Sequence, residues 1–270
     1  LMIGASRESM VICAEALEAR RAHPALNGLA GELYSVASLL EGQPQLRSVL
    51  ADSGQPHSVR EALVREVLGG KVSALAVDLV VTVAAQRWSV DADLVAAIER
   101  LAAQAAFTVA QDRNELDSVE EEIFLFGRAV QSSPELQMAL TDPALGADSK
   151  AGIVRDILRG RGSAIADEVL QYTVGHLHGQ RLDAAIDDLG MVAAAQRQRV
   201  VAQVRVAQPL DARQSERLAA ALSAIAGRTV RLNVAVDPSV LGGVYVAIGD
   251  EVIDGTVATR LEQARRAVLG

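Results

Sequence analysis

Residues 241–256 run LGGVYVAIGDEVIDGT, and the parsing of that stretch decides the fold of the last quarter of the chain. Val244, Val246 and Ile248 alternate with Tyr245 and Ala247, the two-residue period of a β-strand. The pair Gly242-Gly243 stands immediately before it. A phosphate-cradling loop needs its glycines to open onto a helix N-terminus. Here they open onto a strand, so they serve a tight backbone entry instead. Asp250, Glu251 and Asp254 are the candidate carboxylates, and Asp250-Glu251 follows Gly249 in what reads as a turn. Acid-base or cation chemistry would want a His, Lys or nucleophile close by, and the neighbouring sequence offers none.

Working upstream, the same two-residue period begins just after Arg199. Val200, Ala202, Val204 and Val206 alternate with Gln203 and Arg205, and Val230, Leu232, Val234 and Val236 alternate with Arg231 and Asn233. Between these runs Asp211 and Gln214 make a capping box for a helix whose apolar stripe is Leu218, Leu222 and Ile225. Thr256 caps a last helix with Val257, Leu261, Ala264 and Val268 on its apolar face. Residues 200–270 therefore form a small β-α-β-β-α domain.

Residues 1–199 keep a helical period, and they contain a repeat. Residues 43–68 lie over 133–158 without gaps at an offset of 90: Gln43-Pro44-Gln45-Leu46 over Ser133-Pro134-Glu135-Leu136, Leu50-Ala51-Asp52 over Leu140-Thr141-Asp142, and LVREVL over IVRDIL. The sequence thus specifies a duplicated helical bundle, 1–110 and 111–199, followed by the small α/β domain. In copy one, helices are expected at 27–41, 45–51, 58–68, with a Ser58/Glu61 capping box, at 73–86 and from 91 onward; another at 6–22 stops before Pro24. Between Gly70 and Gly127 there is neither Gly nor Pro. Apolar residues recur at helical spacing from Leu94 to Val130, weakened only at the polar patch Gln111 to Glu115; unbroken over 91–132, this is one helix roughly 60 Å long that joins the copies rigidly.

Half of the 270 residues are apolar and only 3% aromatic, a composition suited to packed Ala, Val and Leu helices. The formal charge is −8; residues 200–270 carry eight Arg against seven carboxylates, a net +1, which leaves −9 for residues 1–199. Neither part has the clustered cations that binding to nucleic acid requires. Lys71 and Lys150 are the only lysines beside 24 arginines, a bias of GC-rich genomes. Cys13 stands alone, so no intrachain disulfide forms, and a lone helical Cys acts as a small hydrophobe. The apolar run 75–85 falls short of the ~20 residues that span a bilayer. His176 and His178, two apart, fall on different sides of a helix and make no metal set, and Trp88 follows a helix end as a core or interface anchor.

The C-terminal pattern resembles that of the delta subunits of F-type ATP synthases, called OSCP in mitochondria. The pattern is LGG, alternating apolar residues, IGDEVIDGT, then a short helix containing RL. It is carried by Leu241, Gly242, Gly243, Gly249, Asp250, Glu251, Ile253, Asp254 and Gly255, with Arg260-Leu261 beyond. Residues 209–243 fit the family's helix, strand and turn as well. The helical part departs from the family by being doubled. The resemblance implies a non-catalytic stator subunit without cofactors or metal, one copy per complex. It would act peripherally on the cytoplasmic face of the bacterial plasma membrane without inserting into it.

By the same resemblance, the helical part would bind N-terminal segments of alpha subunits and the C-terminal domain would bind the b stalk, coupling proton flow to ATP synthesis. Val257 and Leu261 on the last helix would support the b contact. Phe124 lies off the inward stripe of copy two, and Tyr34 is its counterpart in copy one; the pair either lines a groove for partner helices or packs between helices. The start at Leu1 fits a free subunit or the end of a fusion behind a b-type helix. Two other classes compete with this reading, a helical-repeat scaffold unrelated to ATP synthase and a KH-like RNA binder. The latter lacks a GxxG loop between helices and a basic face.

Overall fold

The computed structural model describes residues 4–158, 162–197, 200–226, 230–237, 240, 242–248 and 251–254. It divides into two compact units, residues 1–196 and 197–270.

The first unit is helical. Its opening helices are α1 (Ala5–Glu18), α2 (Leu26–Gly42), α3 (Pro44–Ala51), α4 (His57–Leu68), α5 (Ala74–Ala85) and α6 (Asp91–Asp112). They are followed by α7 (Leu116–Gln131), α8 (Pro134–Thr141), α9 (Ala147–Leu158), α10 (Ala164–Gly175) and α11 (Leu182–Arg197). From α2 on, each helix of the first set recurs about 90 residues later, and so do the devices that build it. Pro44 and Pro134 occupy the first turns of α3 and α8, where a missing N–H costs nothing. Ser73 and Ser163 cap α5 and α10, accepting from the N–H of Ala76 at 3.2 Å and of Ala166 at 3.1 Å.

Both serines are held from the preceding long helix. The Ser73 N–H donates to Glu32 Oε1 at 2.9 Å, and the Ser163 N–H donates to Glu122 Oε2 at 2.8 Å. Inward stripes match too: Leu29, Leu33, Val36 and Leu40 of α2 correspond to Val119, Ile123, Phe126 and Val130 of α7, and all eight are buried. One continuous core, including the buried Cys13 and the edge-packed Trp88, runs through both copies. The Trp88 indole N–H donates to the carbonyl of Val83 at 3.0 Å.

Three expectations need correction here. Helix α4 begins at His57 with the extended Pro56 as its N-cap and no side-chain cap, so Ser58 lies inside the first turn and closes no capping box. The helix starting at Ala5 ends at Glu18, short of residue 22. Residues 91–132 are two helices and not one. The N–H of Glu115 reaches back to Ala110 O at 2.8 Å, the N–H of Asn114 reaches Gln111 O at 3.1 Å, and Asn114 sits at φ 58°. This is a Schellman closure with asparagine in the left-handed position usually given to glycine. Helix α6 is buried nearly all round from Leu94 to Ala110, as a central helix must be.

The second unit carries β1 (Val200–Val206), α12 (Ala212–Ala226), β2 (Val230–Val236), β3 (Val244–Ile248) and β4 (Glu251–Asp254) in a sheet of order β2-β1-β3-β4. The crossover through α12 makes β1 and β2 parallel, with Val204 opposite Val234, while β1–β3 and β3–β4 are antiparallel. Ala202, Val204, Val206, Val230 and Val246 form the inner layer with Leu222 of α12. Asp211 and Gln214 make the expected capping box, at 2.7 and 3.0 Å. Ile225, placed on the buried stripe from the sequence, is 69% exposed. The segment read as a turn after Gly249 contains the fourth strand. Glu251 and Asp254 belong to its ladder, with Asp254 opposite Tyr245.

Candidate docking faces

Where the copies meet, an outer face of α2 receives α10 and the turn after it. The Tyr34 and Tyr172 rings stack with centroids 3.9 Å apart, and Tyr172 stacks in turn on His176 at 4.0 Å. The Tyr172 hydroxyl donates to Glu99 Oε1 at 2.9 Å. Helix α10 ends at Gly175, and His178 adopts φ 49°. His176, the C-cap of α10, follows Tyr172 by one turn and His178 lies beyond the helix end, so both rings reach α2, correcting the reading that put them on different sides of a helix. His178 Nε2 lies 2.7 Å from Glu99 Oε1 and its Nδ1 3.2 Å from Glu41 Oε1; His176 Nε2 lies 3.2 Å from Ser38 Oγ. At the other end of the contact Glu168 comes so close to Gly31 that a Cβ there would lie 2.8 Å from its Oε1.

The electrostatics follow from this packing. The hydrogen bond that His178 donates to Glu99 holds its imidazolium above its ordinary pKa. Burial pushes the Glu168 carboxyl up, and burial first, then the nearby acids, pushes both tyrosines up. Burial likewise raises the Cys13 thiol to about 12, which leaves it a packing residue without thiolate chemistry. Among the described residues no group of three or more metal-ligating side chains is assembled.

Tyr34 is therefore 5% exposed and packs between helices, so its ring is closed to an outside partner. Its counterpart Phe124 is 63% exposed, with the neighbouring Leu125 also exposed. Along α2 the receiving face is Gly31, Tyr34, Ser38 and Glu41; ninety residues on, the same face of α7 is Glu121, Phe124, Arg128 and Gln131. All four are exposed. The aromatic pair was thus found from the sequence, whereas the α10 side of the contact was not. Its signal was the polar-aromatic stripe Glu168, Tyr172, His176 at i, i+4, i+8, which marks one helix face.

In the C-terminal unit Gly242 and Gly243 take φ 121° and 85°, conformations that only glycine adopts without strain. Arg205 lies 4.1 Å over the ring of its cross-strand partner Tyr245. Ile253 is partly exposed on β4. Leu241, Gly249, Asp250, Gly255, Val257 and Leu261 lie outside the described residues.

The structure thus offers a packed helical unit with an exposed ring on α7 and a small four-stranded sheet unit, which are faces for contact with other chains. Residues 98–268 match the sequence model of the family described as ATP synthase delta (OSCP) subunit. A subunit delta of Streptomyces griseus is 42% identical over the whole of both chains. One from Parafrankia is 40% identical over 99% of each, and one from Streptomyces avermitilis 41% identical over 97% of each. The chain belongs to the ATP synthase delta (OSCP) family, the non-catalytic peripheral-stalk subunits of the rotary F-type ATP synthase. That membership decides against the unrelated scaffold and the RNA binder. The family match begins inside α6 and takes in all of copy two, whereas the full-length relatives also span copy one.

Proposed function

We propose that this subunit ties the catalytic head to the outer stalk: the helical unit grips N-terminal segments of alpha subunits and the C-terminal unit grips the b subunit. One copy serves each complex, peripherally, on the cytoplasmic face of the bacterial plasma membrane. The observation that carries the reading is the family match over copy two and the sheet unit, joined to an exposed aromatic face on α7. Among the described residues no helix is long and apolar enough to cross a membrane, which suits a part held by protein contacts.

The mechanical demand explains the architecture. Each proton supplies roughly 2.3 kcal/mol per 100 mV, and that work reaches the catalytic sites only if the head is kept from turning with the rotor. A continuous core through two copies resists such load without an active site. Deletion of residues 257–270, which include Val257 and Leu261, is expected to leave membrane ATP hydrolysis intact while proton pumping collapses. Normal pumping by the truncated form would refute a role for the last helix in stalk docking.

A further inference from the structure

Copy one displays the occupant that its α2 face accepts: a helix running parallel to α2, with Glu168 against Gly31, Tyr172 over Tyr34 and His176 at Ser38. The α7 face has the same place in copy two, and among the described residues Phe124 is left 63% exposed. Its substitutions change the charge pattern. Glu121 stands where copy one has Gly31, and Arg128 where it has Ser38. Among the described residues neither Glu121 nor Arg128 makes an ion pair, although they flank the exposed ring on one stripe. In a repeat, each unit contacts its neighbour through the same faces, so an end unit presents the face that the next unit would have covered.

We propose that the α7 face around Phe124 seats an amphipathic helix of another synthase subunit, parallel to α7 and placed as α10 is on α2. The seated helix carries a basic residue opposite Glu121, an aromatic or large aliphatic residue four positions on over Phe124, and an acidic residue four further on against Arg128. This rests on the reading that the helical unit grips helical segments of its neighbours, and it specifies which face does so and what sequence it selects. A second copy of this chain is the poorer occupant. The face of its α5 equivalent to that of α10 offers Asp78, Thr82 and Gln86, with an acid where a base is needed and no large apolar group in the middle.

The test uses the assembled synthase purified from membranes, with a photocrosslinking phenylalanine analogue introduced at position 124. Irradiation is expected to join position 124 to a segment of another subunit in which a basic, a large apolar and an acidic residue follow at four-residue spacing. Arg128→Glu should lower that yield at least fivefold, and replacing the partner's acidic residue by lysine should restore it. Crosslinks confined to a second copy of the chain, to lipid, or to a segment without that charge order would overturn the proposal. So would an assembled complex that gives no crosslink. If the chain is absent from the purified synthase altogether, the stalk reading falls with it, which separates the two failures.

Discussion

The outer faces of α2 and α7 share a backbone, an inward stripe and a capping device, yet one is sealed and the other open. Around Tyr34 the face is covered by α10 of the second copy; around Phe124 it meets solvent. Duplication has kept what each copy needs to fold, namely the buried stripe and the Glu32–Ser73 and Glu122–Ser163 clamps. It has released what faces outward. Glu121 stands where copy one has Gly31, Arg128 where it has Ser38, and Phe124, without a hydroxyl, where it has Tyr34. Residues that fold a repeat are tied to its own core, and residues on its end face answer to whatever covers that face.

The sharpest way to break this comparison is to truncate the two rings. Tyr34→Ala removes a fully packed ring and leaves a cavity beside Tyr172, so unfolding of the helical unit should lose about 3–5 kcal/mol. Phe124→Ala should change stability by less than about 0.5 kcal/mol, because the ring is largely in water already. Trp88, the only tryptophan in the chain and seated at the edge of the helical core, reports both by fluorescence in urea. Equal losses for the two variants would mean that the α7 face is covered after all.

The junction between the copies gives the next largest effect, and it also shows where sequence reading stops. The offset of 90, the prolines opening α3 and α8, the Asp211/Gln214 box and the strand period after residue 200 were all legible, because each is a local pattern with a local cause. The break at Asn114 showed only as the polar patch Gln111 to Glu115. The apolar spacing stays in phase from Val109 to Leu116, and the chain turns there through an asparagine, with no glycine or proline to announce it. The fourth strand was hidden for a similar reason: Glu251 to Asp254 is too short, and too acidic at both ends, to show a period. The Tyr172–His178 cluster was hidden because its partners are 73 to 138 residues away. Asn114→Val should cost about 1–2 kcal/mol, since a branched side chain at φ 58° meets the following carbonyl. An unchanged midpoint in urea would mean that the two helices can fuse into the single rod that their spacing suggests.

The smallest effect concerns what holds the sealed face shut. Protonated His178 bonds Glu99 of α6 and faces Glu41 of α2, with Tyr172 and His176 packed on the same side. Its folded pKa is raised above the ordinary value near 6.5, with the Glu99 hydrogen bond as the main cause. A raised pKa means the folded state holds the proton more tightly. The stabilisation is therefore complete below about pH 6.5 and is lost as pH rises through the folded value. The side chain is about a third exposed, so solvent screens much of the interaction. Raising the pH from 6 to 9 should lower the melting midpoint of the native chain by on the order of 2 °C more than that of His178→Gln. Parallel curves for the two proteins would show that the charge of His178 adds nothing to the sealed face, with the histidine a bystander at its edge.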